Sequence, residues 1–260
     1  MSIGWNHPDT ARYYELFCRR HPRYRVANAA LAAHAEIPRC GRVLDVAAGT
    51  GRTAEAALRY LGQRGRVTCL EPFEAMRAAG SRRLRDRRLA WVSDWPQERY
   101  DRVLCGAAIW QMTPLEETFR RIAGRLAAGG LFAFNIPSLY LGLPDAPGGG
   151  RDPHLLELPG LVAAGRVPAA EAQPLSSAQQ VEAALTAAGF QAQRWHLRQR
   201  FTQEAFRDWL KIPVLTDALL PELGAVARAR RIERAYRSAD PLSWRWEAWY
   251  GWTAWLRGTA

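Results

Sequence analysis

The segment from Gly41 to Arg59, GRVLDVAAGTGRTAEAALR, constrains this chain most. Val43, Leu44 and Val46 run unbroken into small residues, the pattern of a strand buried on both faces of a parallel sheet. Ala47-Ala48-Gly49-Thr50-Gly51 then makes a turn with almost no side chain. Ala54, Ala57, Leu58 and Leu61 follow at i, i+3, i+4 and i+7, which predicts a helix. A strand, a bare turn and a helix let a ligand approach the backbone closely, because glycine lacks Cβ and tolerates positive φ. The amides that open the helix favour a negative group.

An acid flanks this unit on each side. Asp45 closes the first strand, and Glu71 closes the next candidate strand, Arg66–Glu71. An acid at the second position can accept hydrogen bonds from both hydroxyls of a ribose. The dinucleotide fingerprint G-x-G-x-x-G is absent, Ala54 standing where its last glycine would be, and no Gly-Lys-Ser/Thr P-loop occurs. An ordinary strand-to-helix turn is the plainer alternative. The spacing D-x-A-x-G-x-G from Asp45 to Gly51 resembles motif I of the class I S-adenosylmethionine (SAM)-dependent methyltransferases.

Downstream segments extend that resemblance. Glu71-Pro72 followed by Met76 is similar to the family's second motif; the resemblance implies that Glu71 grips the ribose and Met76 packs near the adenine. A third strand, Leu89–Ser93, runs into Asp94 and Trp95, which the family pattern places at the adenine amino group and ring. Tyr100–Ala108 resembles the family's fourth strand, with small Ala108 beside the cofactor and Trp110 and Gln111 facing the cavity. The N-P-P-Y motif of DNA- and protein-amino-methylating members is missing here. Thr113-Pro114-Leu115-Glu116 reads as a capping box. Leu115, Phe119, Ile122 and Leu126 form the buried stripe behind it. Gly129-Gly130 is expected to stop that helix before a fifth strand, Leu131–Asn135, whose end points Asn135 at the cleft.

The resemblance covers Arg42 to Gly189. It implies an α/β, Rossmann-like methyltransferase fold: a seven-stranded, mostly parallel sheet with an antiparallel last strand, an N-terminal helical lid and helical insertions. One domain, 1–260, is expected, with the lid at 1–38, the SAM-binding half at 39–136, a cap loop at 138–175 and the rest of the sheet at 176–260. In the lid, Asp9 can cap a helix through Tyr13, Tyr14 and Phe17, and a second helix starts near Arg23. Trp5, Tyr13 and Tyr14 are candidates to line the substrate cavity. The Pro- and Gly-rich cap loop carries His154, a candidate general base or a purely structural group. Ser177 and Thr202 can each cap a helix, and Pro221–Ser238 reads as another with Arg230, Arg234 and Arg237 on one face. Trp244, Trp246, Tyr250 and Trp252 alternate along a terminal strand.

The family resemblance implies SAM as cofactor, with S-adenosylhomocysteine (SAH) as its product. The expected cofactor contacts are Asp45, Ala47, Gly49, Gly51, Glu71, Pro72, Met76, Asp94, Trp95 and Ala108. Tyr14, Trp110, Gln111, Asn135 and His154 are the candidates on the substrate side. SAM carries its own leaving group, so positioning can dominate without a recognisable dyad. A small-molecule acceptor, with specialised metabolism as the setting, is expected. The net charge of +11 raises an RNA methyltransferase as the alternative. All but one of the 36 basic residues are arginine, however, a skew that looks like coding bias. A protein of this fold with other SAM chemistry, such as a cyclisation, is the third reading. The four cysteines form no C-x-x-C pair and suggest no metal site. No apolar run approaches a membrane span and no signal pattern opens the chain, so a soluble, cytoplasmic protein is expected. The acceptor atom and the oligomeric state are left open.

Overall fold

The computed structural model describes residues 4–39, 41–141, 175, 177–217, 220–237 and 244–258. Seven strands form one sheet: β1 (Arg42–Val46), β2 (Arg66–Leu70), β3 (Leu89–Val92), β4 (Tyr100–Gly106), β5 (Leu126–Pro137), β6 (Phe190–Thr202) and β7 (Trp244–Leu256). Their order is β3-β2-β1-β4-β5-β7-β6. The pairs among β1 to β5 are parallel, whereas β7 runs antiparallel to both β5 and β6. The strand order reverses between β1 and β4, which opens a crevice at their carboxyl ends.

Helices cover both faces. α1 (Pro8–Arg20), α2 (Arg23–His34), α3 (Arg52–Ala57) and α4 (Glu74–Arg83) precede β3, and α5 (Leu115–Ala123) and α6 (Ala178–Ala187) lie later in the chain. Leu31 of α2 and Ala54 of α3 pack on Val43 and Leu104 on one face. The other face holds Phe119, Phe132, Phe134 and Trp252, with the α5 stripe of Leu115, Phe119 and Ile122 buried as its spacing requires and Leu126, the first residue of β5, buried beside it. A third cluster joins Phe17 of α1 to α7 (Gln203–Leu210), α8 (Pro213–Thr216) and α9 (Ala225–Ala235). This cluster presses the N-terminal helices against the end of the sheet.

Several local expectations are corrected. His7, not Asp9, caps α1, its ring accepting the Asp9 amide hydrogen. Thr113 caps nothing: Pro114 itself takes the extended N-cap position of α5, which leaves Thr113 one residue too early. Gly129-Gly130 does not stop a helix but lies inside β5, which begins at Leu126 and shifts register opposite Tyr100 and Arg102. Ser177 and Thr202 do accept capping hydrogens, from Gln180 and Ala205.

Candidate functional site

The carboxyl ends of β3, β2, β1, β4 and β5 share one edge, and beyond them lies a cavity of about 450 Å³. Each strand end contributes. β3 leads into Ser93, Asp94 and Trp95; β2 leads into Glu71, Pro72 and Phe73, with Met76 behind. β1 supplies Ala47 and Ala48, and α3 adds Arg52 and Thr53. Past β4 come Gly106, Ala107, Ala108, Trp110, Gln111 and Met112. Tyr140 follows β5, while Trp5, Tyr14, Tyr24 and Asn28 from the N-terminal helices, with Leu215 of α8, form the roof.

The turn after β1 is built for close approach. Ala47, Gly49 and Gly51 all take positive φ, at 53°, 57° and 79°. Ala107 does the same after β4, at 56°. Left-handed alanine costs about 1–2 kcal/mol, and both strained alanines line the cavity at the two strands that flank the crevice. Gly51 has no room for a side chain, since a Cβ there would stand 2.9 Å from the Trp91 ring.

Glu71 ties the turn to the next strand. It is 3% exposed. One carboxylate oxygen accepts the Gly49 amide hydrogen at 2.7 Å and the other accepts that of Phe73 at 2.9 Å. Burial raises its pKa from the usual carboxylate range, and the two amides and Arg77 oppose that rise. Each oxygen retains a lone pair for a further donor.

Asp45 is a different kind of residue from the one expected. It is fully buried and does not line the cavity; its Oδ2 accepts the Ala54 amide hydrogen at 2.9 Å, and Oδ1 has no partner. Burial pushes its pKa up to about 8. Asp45 therefore holds the start of α3. Gly49 and Gly51 shape the turn between β1 and α3. Asn135 is also fully buried, outside the cavity lining, with its amide engaged by the Ala107 N–H at 2.9 Å and the Ala27 carbonyl at 3.0 Å. It fixes the left-handed Ala107 and seats α2. Tyr13 faces a separate groove with Phe17 and Arg230. His154 lies outside the described residues, as does the run 142–174.

Trp110 is buried and stacks on Tyr140 at 4.2 Å, with the rings within 15° of parallel. Gln111 is exposed at the cavity mouth. Tyr14 is tilted against Tyr24 at 5.4 Å, and burial raises the pKa of each. The lid is latched to the glycine turn by Glu15, which accepts hydrogen bonds from Thr50 and Arg52 and lies 3.7 Å from Arg83. Asn28 Oδ1 is buried with no partner, beside Thr53 and Gly106. Arg52, Thr53, Asn28, Tyr24, Tyr140 and Leu215 were not legible as site residues. Only Arg52 and Thr53, adjoining the glycine turn, and Tyr24 and Asn28, one helical turn apart, carried a local signal. Among the described residues no group of three or more His, Cys, Asp or Glu side chains could hold a metal ion.

Residues 44–132, from β1 to β5, match the family described as Methyltransferase domain. The chain has the fold of the class I methyltransferases. Three solved structures share it: a SAM-dependent methyltransferase from Geobacter sulfurreducens in complex with SAH (15% identity, 95% of this chain and 98% of that one, TM-score 0.56), the YcgJ protein from Bacillus subtilis (18%, 90% and 100%, TM-score 0.55) and the [4+2]-cyclase SpnF (17%, 89% and 80%, TM-score 0.53). No curated protein shows a significant match.

Proposed function

We propose that the chain is a SAM-dependent methyltransferase acting on a small-molecule acceptor. The buried Glu71 carboxylate, facing the cavity with a free lone pair on each oxygen, carries the reading. Its two oxygens would serve as acceptors for the two ribose hydroxyls. Asp94 and Trp95 at the end of β3 would take the adenine edge and ring, and Met76 would pack beside them. The orphaned Oδ1 of Asn28, a lining residue, would accept from the ammonium end of the amino-acid tail. The residues present therefore fit this cofactor.

When bound, SAM supplies an electrophilic methyl group and a neutral leaving sulfur. The residues that line the cavity would hold an acceptor's lone pair in line with that methyl group. Among the described residues, the lid-side lining over β4 and β5 has no carboxylate, imidazole or amine to act as a base. Orientation by Trp110, Tyr140 and the lid tyrosines is then the chain's main contribution, a proximity effect. Glu15 holds the lid to the glycine turn, so the roof and the turn are tied together over the cavity.

Two observations support a small acceptor over RNA. A roofed cavity of about 450 Å³ has the size of a small-molecule site. The arginines are scattered over helices and strands, and many are tied to carboxylates, as in Arg52–Glu15, Arg83–Glu55, Arg88–Asp86 and Arg194–Glu182. No helix among the described residues is long and apolar enough to cross a membrane. The test is incubation with methyl-labelled SAM and a bacterial extract, followed by separation by size. Label in the small-molecule fraction supports the proposal, and label confined to RNA or protein overturns it.

A further inference from the structure

Building on the cofactor reading above, we infer that the acceptor is a planar aromatic ring system without carboxylate, phosphate or ammonium groups, bound between Trp110 and the tyrosines of the lid. The cavity divides along the strand order. Neighbouring strands lie about 4.8 Å apart, so the ends of β3 and β2 are separated from β5 by most of the cavity's length. The charged lining residues keep to one side: Glu71 and Asp94 belong to β2 and β3, and Arg52 is paired with Glu15. Over β4 and β5 the described lining carries no charged side chain.

That half is walled by ring faces. Trp110 is fixed by its stack on Tyr140, and the tilted pair Tyr14 and Tyr24 faces the cavity from the lid, with Leu215 beside them. Flat ring faces reward a flat ligand through offset or edge contacts. An anion brought here would lose its water with no counter-ion among the described lining residues. A cation would lose its water there too, with no carboxylate among the described lining residues of that half to pair with, a cost that the ring faces recover only in part.

Tyr24 supplies one directional contact. Its hydroxyl accepts from Arg23 at 3.2 Å and from the Trp209 indole at 3.1 Å. Both lone pairs are thereby used, and no described residue takes the remaining proton. Burial keeps that proton on the oxygen. It is free to bond an oxygen or ring nitrogen on the acceptor's edge.

The experiment is titration calorimetry on protein saturated with SAH, at mildly acidic pH where 7-hydroxycoumarin keeps its proton. The probes are 7-hydroxycoumarin, its 3-carboxylate, N-methylquinolinium and menthol. The uncharged planar probe should bind at least about tenfold more tightly than the other three. Trp110→Ala and, separately, Tyr140→Ala should each weaken it by about tenfold while SAH affinity stays within a few-fold. Tyr24→Phe should weaken it by a smaller factor. Equal or tighter binding of the carboxylate, the cation or menthol, or no binding of 7-hydroxycoumarin to the SAH-saturated protein, overturns the inference. Absence of any SAH heat overturns the cofactor reading instead, and the same titrations without SAH then still read the ring preference.

Discussion

Glu71 accepts the Gly49 amide hydrogen at 2.7 Å, a bond that spans from the end of β2 to the glycine turn after β1. The carboxylate thus shapes the turn and faces the cavity at once. Glu71→Ala removes a charged acceptor from up to two ribose hydroxyls, a loss of about 1.5–3 kcal/mol. SAH affinity should fall at least tenfold, read by calorimetry. Glu71→Gln should fall between the two, because its carbonyl can serve only part of the acceptor role. Unchanged affinity in Glu71→Ala would remove this residue from the site.

Asp45 gives a pH prediction whose sign follows from burial. Its folded pKa is raised to about 8, against about 3.9 in an unfolded chain. Between these values the folded state holds the proton more tightly than the unfolded state, so this group's contribution to stability is full at low pH and declines as pH rises toward 8. Asp45→Asn keeps an acceptor for Ala54 and cannot ionise. In urea unfolding at pH 5 and pH 8, wild type should lose more stability across the interval than Asp45→Asn. Identical slopes would contradict the buried, protonated carboxyl.

Glu15 links the lid to the ligand loop through Thr50 and Arg52. Glu15→Ala should free α1 without touching the sheet. Hydrogen exchange should quicken in residues 8–20 and in the turn 47–53, and SAH should bind more weakly. Unaltered exchange in both segments would show that α1 is held by its packing on α4, α7 and α8 rather than by Glu15.

Arg23 and Glu247 form an ion pair in which both residues are almost fully buried. Phe201, Trp209 and Trp249 surround the guanidinium at 4.7, 4.8 and 5.3 Å. Truncating one partner strands a buried charge, which costs about 3–5 kcal/mol. Glu247→Ala should therefore destabilise the protein strongly in denaturant titration. The pair Arg23→Met with Glu247→Leu should recover most of the loss. A mild effect of Glu247→Ala would mean that water reaches the guanidinium.

The sheet was readable because its signals are local. β1, β2, β3 and β4 are short apolar runs bounded by turn residues, and the glycine turn placed the first of them. Trp252 and its alternating neighbours declared β7 in the same way. Asp45 and Asn135 lie just inside the ends of β1 and β5, where the alternation of side chains along a strand turns each toward a helix, α3 for one and α2 for the other. The roof was hidden for another reason. Arg23 meets Glu247 across 224 residues of sequence, and Trp209 meets Tyr24 across 185. No periodicity encodes such pairings. The cap at Thr113 failed because Pro114 already supplies the extended residue that precedes a helix.

The most direct measurement is calorimetric titration of the protein with SAH, with a thermal-shift scan beside it. A single site of about micromolar affinity, near −8 kcal/mol, is the expected result, with a rise in melting temperature that grows with SAH concentration. No heat and no shift at millimolar SAH would contradict the cofactor assignment and the methyl-transfer function built on it.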